Sequence, residues 1–236
     1  MTTAPLLEIR NVYKKYGYRT ILRDISFSVS AGECILLLGH NGAGKTSLTR
    51  LICALSQPNH GTLYFKGQPF SQSKQEVHKS IGVISHSSRL YHDLNAWENL
   101  KVFGTLYGVP QLKQKIPKVL EMVELTSATY MPVYTFSSGM LKRLMIARIM
   151  LYKPELLILD EPYTGLDPHF VKMLQIYLKN HIQQGNTAFL ITHQLSLGLE
   201  IATRGLLLHQ QQVQQDVPIS DLPVEQWTHF LENAKI

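Results

Sequence analysis

The sequence is poor in cysteine and has no hydrophobic run long enough to cross a bilayer. Cys34 and Cys53 are the two cysteines among 236 residues. They are too few for a disulfide framework, so both are predicted to be small buried hydrophobes in a reducing compartment. No stretch approaches the roughly 18 apolar residues of a membrane-spanning helix, and residues 1–10 lack the pattern of a signal peptide. We therefore expect any membrane contact to go through a partner.

Charged residues are also scarce, at 17% of the chain where about 25% is usual. With 44% hydrophobic residues, such a chain is expected to bury surface in contacts beyond its own fold. The 23 basic and 17 acidic side chains give a net charge of +6. This balance suits nucleic acid, anionic lipid or a polyphosphate ligand, or simply a mildly basic protein. Ordinary glycine and proline contents exclude collagen-like and low-complexity chains.

Short apolar runs predict a parallel sheet. Three runs are nearly continuous in apolar side chains, as in strands buried on both faces: residues 35–38, 156–159 and 188–192. A helical pattern over 168–183 separates the last two, and this alternation indicates an α/β fold. Residues 7–12 and 21–29 are predicted as further strands, because the second alternates apolar with polar residues, the period of a half-buried strand.

The middle and the end of the chain have a different pattern. Residues 95–129 show helical periodicity, interrupted at prolines such as Pro117, and no buried strand run. They predict a small helical subdomain inserted into the α/β core, followed by one more helix over 137–151. Residues 210–236 are polar and rich in glutamine, and they end in a short amphipathic stretch.

A glycine-rich segment follows the first buried run. It matches the pattern G-x-x-x-x-G-K-[ST] at Gly39, His40, Asn41, Gly42, Ala43, Gly44, Lys45 and Thr46. Glycines let the backbone curl so that several N–H groups face one phosphate, and a helix predicted over 45–55 adds its positive N-terminal end. Lys45 would place a cation between the β- and γ-phosphates, and Thr46 would offer a hydroxyl to Mg²⁺. The segment thus predicts an ATP and Mg²⁺ site.

The second buried run ends in two acids, Asp160 and Glu161. Asp160 is predicted to hold Mg²⁺ through water, and Glu161 to polarise an attacking water. Strands often end in acids, so this pattern indicates a nucleotide site only in combination with the glycine-rich segment.

A third segment, residues 136–140, opens the helix predicted over 137–151. Hydroxyls and exposed N–H groups at a helix start form an anion site. Taken alone, they are more typical of an ordinary helix cap.

Together these segments resemble the ATP-binding cassette family, the ATPase subunits of ABC transporters, over residues 7–208. Ser137-Ser138-Gly139-Met140, with Arg143 after it, is similar to the family's signature motif. The run Thr164-Gly165-Leu166-Asp167 resembles its D-loop, and residues 191–193 resemble its switch strand.

The resemblance also implies roles for individual residues. The catalytic set is Glu161, His193 and Lys45, with His193 as the γ-phosphate sensor, and the metal set is Thr46 and Asp160. Tyr16 occupies the position of the aromatic residue that stacks on adenine. The other nucleotide contacts are assigned to residues 39–47, which include Ser47, and to His86, Ser137, Ser138, Gly139 and Asp167.

The sequence departs from the family pattern at several positions. His86 stands where the family usually has a glutamine that reaches Mg²⁺ and water. Neutral imidazole is a poor ligand for hard Mg²⁺, so His86 is predicted to act through water or within the hinge to the helical subdomain. The signature departs at Phe136, Ser138 and Met140. Ser137 and Gly139, which make the phosphate contact, remain, so we expect a competent ATPase.

The fold implied by the resemblance is a P-loop NTPase (RecA-like) α/β core with an N-terminal antiparallel β portion and an inserted α-helical subdomain. One nucleotide-binding domain is predicted, with the core over 1–86 and 152–209, the helical subdomain over 87–151 and a C-terminal extension over 210–236. Two copies would pack head to tail on ATP binding, with the phosphate loop of one facing Ser137 and Gly139 of the other. A separate transmembrane permease would hold the chain at the cytoplasmic face of the cell membrane.

Several functions stay open at this stage. Ser85-His86-Ser87, Leu90-Tyr91 and the run from Leu106 to Val109 resemble ATPases of haem-exporter type, linked to cytochrome c maturation. Exporters of drugs, lipids and polysaccharides share several of these features. A cassette ATPase acting on ribosomes, DNA or cluster assembly is a further alternative, as is a nucleotide-binding module without turnover. No direct nucleic-acid partner is expected, because ribosome-acting members usually carry two cassettes in one chain.

Overall fold

The computed structural model describes residues 4–85 and 89–233, with side chains up to His229 at the C-terminal end. Within these ranges the chain forms two sheets and eight α-helices. The first sheet is antiparallel, with strand order β2-β1-β4-β5. Its strands are β1 (Leu7–Tyr16), β2 (Arg19–Val29), β4 (His60–Phe65) and β5 (Gln68–Pro69).

The second sheet has six strands in the order β10-β9-β3-β8-β7-β6. Five of them run parallel, and β10 pairs antiparallel with β9 at one edge. The strands are β3 (Cys34–Leu38), β6 (Ile81–Ile84), β7 (Leu156–Asp160), β8 (Thr187–Ile191), β9 (Arg204–His209) and β10 (Gln212–Pro218). The predicted α/β core with an N-terminal antiparallel portion is therefore confirmed.

The helices lie on both sides of this sheet and in the connections between strands. They are α1 (Lys45–Ile52), α2 (Phe70–Ser80), α3 (Ala96–Leu106), α4 (Leu112–Met122), α5 (Ser138–Tyr152), α6 (Pro168–Gln183), α7 (Leu195–Leu199) and α8 (Val224–Asn233), with 3-10 turns over Thr126–Ala128, Val133–Thr135 and Ile219–Asp221. Among the described residues, none of the helices combines the length and the apolar character needed to cross a bilayer.

The central strand β3 shows why continuous apolar runs predict buried strands. All five of its residues are buried. Cys34, Leu36 and Leu38 pack into the core that includes α5 and α6, whereas Ile35 and Leu37 pack into the core shared with α1 and the antiparallel sheet. Because successive side chains of a strand point to opposite faces, a strand between two cores has no polar face.

Helices α3, α4 and α5 follow β6 in the chain and pack against one another. Asn95 starts α3 with a capping box, because its side chain accepts from Glu98 N and the Glu98 side chain accepts from Asn95 N. The last turns of α5 are buried all round, including Arg148, which donates to Val83 O of β6 at 2.9 Å. The helical periodicity of this region is confirmed, and the predicted boundaries at 87 and 151 stay a prediction.

Three details differ from the sequence-based expectations. Helix α1 ends at Ile52 and not at Leu55, because Ala54 has a left-handed φ of 53°, so Leu55 is exposed. Pro117 lies inside α4 and does not interrupt it; its fixed φ suits a helix, and one N–H donor is lost.

The third difference is in the predicted C-terminal extension. Residues 212–218 form β10, which completes the sheet beside β9. Arg204 of β9 holds β10 through two hydrogen bonds to the Asp216 carboxylate, at 2.5 and 2.6 Å. Trp227 of α8 is fully buried and packs so closely on Gly205 that a β-carbon there would collide with its ring. Strand β10 and the Trp227 side chain are therefore packed with the core, and the division of the chain at residue 210 stays a prediction.

Candidate functional site

The glycine-rich segment forms a tight loop between the end of β3 and the start of α1. Gly42 and Gly44 have φ values of 87° and 108°, which residues with a β-carbon rarely adopt. A β-carbon on Gly44 would lie 2.8 Å from Leu22 Cδ2, and one on Gly39 would collide with Leu208 O. No described side chain caps α1, so its first N–H groups are free to bind an anion.

Lys45 reaches back across this loop. Its Nζ donates to Gly39 O at 2.6 Å and to His40 O at 3.0 Å. Burial lowers the pKa of Lys45, and the nearby carboxylates of Asp160 and Glu161 oppose that shift. The ammonium is therefore held on the loop by the carbonyl oxygens of Gly39 and His40.

A cleft of about 370 Å³ lies over the loop. Its volume falls in the range of about 300–1,000 Å³ that is typical of small-molecule sites. The cleft brings together the loop, both strand-end acids and the predicted sensor, and is lined by Arg19, Ile21, Asn41, Gly42, Gly44, Lys45, Thr46, Ser47, Asp160, Glu161, Ile191 and His193. Segments separated by more than 100 residues in sequence thus form one site.

Glu161 has an unusual backbone at the end of β7. Its φ is 51°, a left-handed conformation that costs a residue with a β-carbon roughly 1–2 kcal/mol. Two hydrogen bonds hold it: Glu161 N donates to Ile191 O at 2.8 Å, and Lys142 Nζ donates to Glu161 O at 2.9 Å. Strain that the surroundings maintain in this way is concentrated at functional sites.

The side chain of Glu161 is buried, with 10% of its surface exposed. One carboxylate oxygen, Oε1, accepts from His193 N at 2.9 Å and lies 3.7 Å from His193 Nε2. The other, Oε2, is 3.4 Å from the hydroxyls of Thr192 and Thr164. The carboxylate is thus held at the ends of β7 and β8, beside the cleft and close to His193.

The cleft also contains oxygen donors for a metal ion. Among the described residues no group of three or more His, Cys, Asp and Glu side chains could hold a metal by itself. However, the Thr46 hydroxyl and the Asp160 carboxylate both line the cleft. Magnesium typically binds one or two protein oxygens together with substrate phosphates and water, so this donor set fits Mg²⁺.

The signature residues lie apart from the cleft. Ser137 caps α5, since its Oγ accepts from Met140 N at 3.3 Å. Neither Ser137, Ser138 nor Gly139 is among the described residues that line the cleft. A β-carbon on Gly139 would lie 3.2 Å from Gly165 O, so the start of α5 packs closely on residues 164–167.

Asp167 caps α6 on the other side of this contact. Its carboxylate accepts from Phe170 N at 2.9 Å and from Arg143 Nη2 at 2.5 Å. These two hydrogen bonds, that of Phe170 first, hold the pKa of Asp167 below its usual value. Arg143 also donates to Glu124 at 2.6 Å, so one guanidinium joins α5, α6 and the turn after α4.

The remaining predicted residues are at the margin of the site or outside it. Tyr16 ends β1 opposite Arg19; its ring is half-exposed, with Lys14 Nζ 4.9 Å from the ring centre. Arg19 lines the cleft and Tyr16 does not. Arg19 was not predicted as a site residue from the sequence. Its basic side chain just after the turn at Gly17 could have indicated a contact with phosphate. His86 lies outside the described residues.

A P-loop nucleotide-binding protein is defined by a buried strand, a glycine-rich loop and a helix, together with a second buried strand that ends in an acid. Here that second strand is β7, which β8 separates from β3. The family model described as ABC transporter matches residues 22–164, and the chain belongs to this family. A solved structure titled "Structure of ATP binding subunit of ABC transporter" superimposes with a TM-score of 0.90 and 25% identity, covering 98% of this chain and 100% of that one. The chain thus shares its family and its fold with this ATP-binding subunit.

Curated relatives fall in the same family. The Nod factor export ATP-binding protein I of Sinorhizobium fredii is 39% identical over 189 residues, which cover 79% of this chain and 55% of the relative. The protein of the same name from Cupriavidus metallidurans is 38% identical, with 80% and 63% covered. An uncharacterized ABC transporter ATP-binding protein of Bacillus subtilis, YdbJ, is 36% identical, with 91% and 70% covered. The chain therefore spans less than two thirds of the length of the two export proteins.

Proposed function

We propose that this chain binds MgATP in the cleft around Lys45, hydrolyses it, and so powers export through a separate membrane permease. The observation that supports this most strongly is the convergence of Lys45, Thr46, Asp160 and Glu161 on one cleft. The amides of residues 39–47 and the Lys45 ammonium would bind the β- and γ-phosphates. Tyr16 would stack on adenine at the edge of the site.

Hydrolysis would depend on Glu161. Its carboxylate is oriented by His193 N and is placed to accept a proton from a water that attacks the γ-phosphate. Thr46 and Asp160 would hold Mg²⁺, which when bound neutralises phosphate charge. His193 would contact the γ-phosphate through its ring, which is two-thirds exposed. His86 would act through water or within the hinge.

We further propose that two copies form a head-to-tail dimer on ATP binding. The start of α5 lies outside the cleft of its own chain, yet its first turn carries the Ser137 hydroxyl and the backbone of Gly139. These groups suit a phosphate contact made to the nucleotide of the partner copy, with Asp167 beside it. In this proposal residues 87–151 move as a helical subdomain and transmit closure to the permease at the cytoplasmic face of the membrane.

Mixed subunits test this arrangement. A Lys45→Ala subunit combined with a Ser137→Arg subunit places both lesions in one composite site and leaves the other intact. Each variant alone should be inactive, and mixing should restore part of the ATPase rate. Absence of any recovery, with mixed dimers verified by two affinity tags, would contradict the head-to-tail proposal.

The transport function is proposed in a general form, export, and in a narrower form, export of haem. Relatives named for Nod factor export support export in general over a role on ribosomes, DNA or cluster assembly. Haem-exporter type rests only on the resemblance of residues 85–109, 138–140 and 163–167. Co-expression with a candidate permease tests the narrower proposal. A stable pair whose ATPase rate rises with haem supports it, and a stable pair indifferent to haem contradicts it.

A further inference from the structure

Lys142 and Arg143, which are consecutive in α5, bind the two ends of the segment 161–167. Lys142 Nζ donates to Glu161 O at 2.9 Å, and Arg143 Nη2 donates to the Asp167 carboxylate at 2.5 Å. Residues 161–167 connect β7 to α6, and α5 holds this segment at its first residue, Glu161, and at its last residue, Asp167. Neighbouring residues of a helix point about 100° apart, which lets the pair reach both ends of the segment.

The Lys142 contact bears on the residue that the proposed function makes catalytic. Glu161 is held in a left-handed conformation, and Lys142 supplies the hydrogen bond to its carbonyl. The opposite side of the same residue is bonded to Ile191 O and His193 N. The direction of the Glu161 side chain therefore depends on contacts from both β8 and α5.

Lys142 itself is in an unusual position for a lysine. It is partly buried; burial lowers its pKa, and the charges of Asp160 and Glu161 oppose that shift. Burying an ammonium is costly unless it is paired and hydrogen-bonded. Its charge is partly offset by the two acids, and its hydrogen bond is directed to the backbone of Glu161, not to a carboxylate.

We infer that Lys142 is a positioning residue for ATP hydrolysis: by holding the Glu161 carbonyl it sets the direction of the Glu161 carboxylate from the signature helix. The inference rests on the proposed function, in which Glu161 acts on water. Because α5 begins with Ser137 and Gly139, a shift of that helix on engaging the partner's nucleotide would also move the support of Glu161. Hydrolysis in one site would then respond to occupancy of the other.

Steady-state ATP hydrolysis by the full chain tests this role. Lys142→Met keeps the length of the side chain and removes the donor. A small displacement of a reacting group costs up to about 100-fold in rate; we expect kcat to fall about tenfold with KM for ATP unchanged. Lys142→Arg keeps a donor and should restore most of the rate. Lys179→Met, which removes an exposed lysine from α6, is the matched control.

A double-mutant comparison separates positioning from structure. If Lys142 acts through Glu161, then Lys142→Met should cost little in a Glu161→Gln background, measured by single-turnover hydrolysis. An equal loss in both backgrounds, or an unchanged kcat for Lys142→Met, would overturn the inference. Should that variant not fold, Lys142→Ala takes its place, and failure of both to fold would assign Lys142 to stability and equally overturn it.

The same data distinguish this inference from the proposed function. A Glu161→Gln chain that hydrolyses ATP at the wild-type rate would overturn the catalytic role of Glu161, and the role of Lys142 with it. An inactive Glu161→Gln chain beside a fully active Lys142→Met chain would overturn the Lys142 inference alone.

Discussion

Replacing Glu161 by glutamine should separate ATP binding from hydrolysis. The amide oxygen can take the place of Oε1 and accept from His193 N. The NH₂ group would then face the hydroxyls of Thr192 and Thr164, which are 3.4 Å from Oε2 and can rotate to accept. Because each hydrogen bond finds a replacement, the loss of folding stability should be no more than about 1 kcal/mol.

The loss in rate should be much larger. An amide cannot take the proton of the attacking water, and a positioned general base contributes about 10² to 10⁴-fold, or roughly 3 to 5 kcal/mol. ATP should still bind because Lys45 and the loop amides are untouched. The ATP-bound dimer should therefore persist, since hydrolysis no longer opens it.

Phosphate release and gel filtration with ATP and Mg²⁺ measure the two effects side by side. We expect a rate at least 100-fold below that of the parent chain, together with a dimer peak that appears only with ATP. Hydrolysis near the parent rate would refute the reasoning and give the role of base to another residue, with His193, 3.7 Å from Oε1, as the next candidate.

Three further predictions concern the metal, the C-terminal helix and acid stability. Asp160→Asn should weaken the Mg²⁺-dependent part of ATP affinity by roughly 10-fold to 100-fold and leave Mg²⁺-free binding unchanged in calorimetry; equal loss with and without Mg²⁺ would argue against a metal role. Trp227→Ala should cost about 3–5 kcal/mol and lower Tm by roughly 10 °C in a thermal melt, whereas an unchanged Tm would mean that α8 is not part of the core. Burial lowers the pKa of His181 to about 4, below the unfolded value of about 6.5, so the unfolded state takes up the proton first. The free energy of unfolding should thus fall as pH drops from about 6.5 to 4, by about 3 kcal/mol, and His181→Leu should show a smaller fall in denaturant titrations across that range.

The parts of the site that lie within one segment were predictable from the sequence. The loop around Lys45 follows from its glycines, and β3 and β7 from apolar runs with no polar face. The Ser137 cap and the Asp167 cap follow from short polar side chains just before helices. Local chemistry determines all of these, so sequence alone is enough to place them.

Features that depend on distant partners could not be predicted in this way. The polar strand β10 gains its structure from pairing with β9 and from the Arg204–Asp216 contact. The bond from Lys142 to Glu161 joins residues of two elements and leaves no trace in the spacing of motifs. The early end of α1 depends on the backbone of Ala54, which apolar periodicity through Leu55 does not reveal.

Binding of ATP in the cleft around Lys45 is tested most directly by isothermal titration calorimetry of the wild-type chain and of Lys45→Ala. Hydrogen bonds to charged groups contribute about 1.5–3 kcal/mol each, so loss of the ammonium should weaken ATP binding roughly 100-fold. The thermal unfolding of the nucleotide-free chain should stay nearly unchanged, because two effects oppose each other. Losing the hydrogen bonds from Lys45 to Gly39 O and His40 O destabilises the fold, whereas removing a partly buried charge stabilises it. Equal ATP affinity for the two chains would contradict the assignment of the phosphate site to this loop.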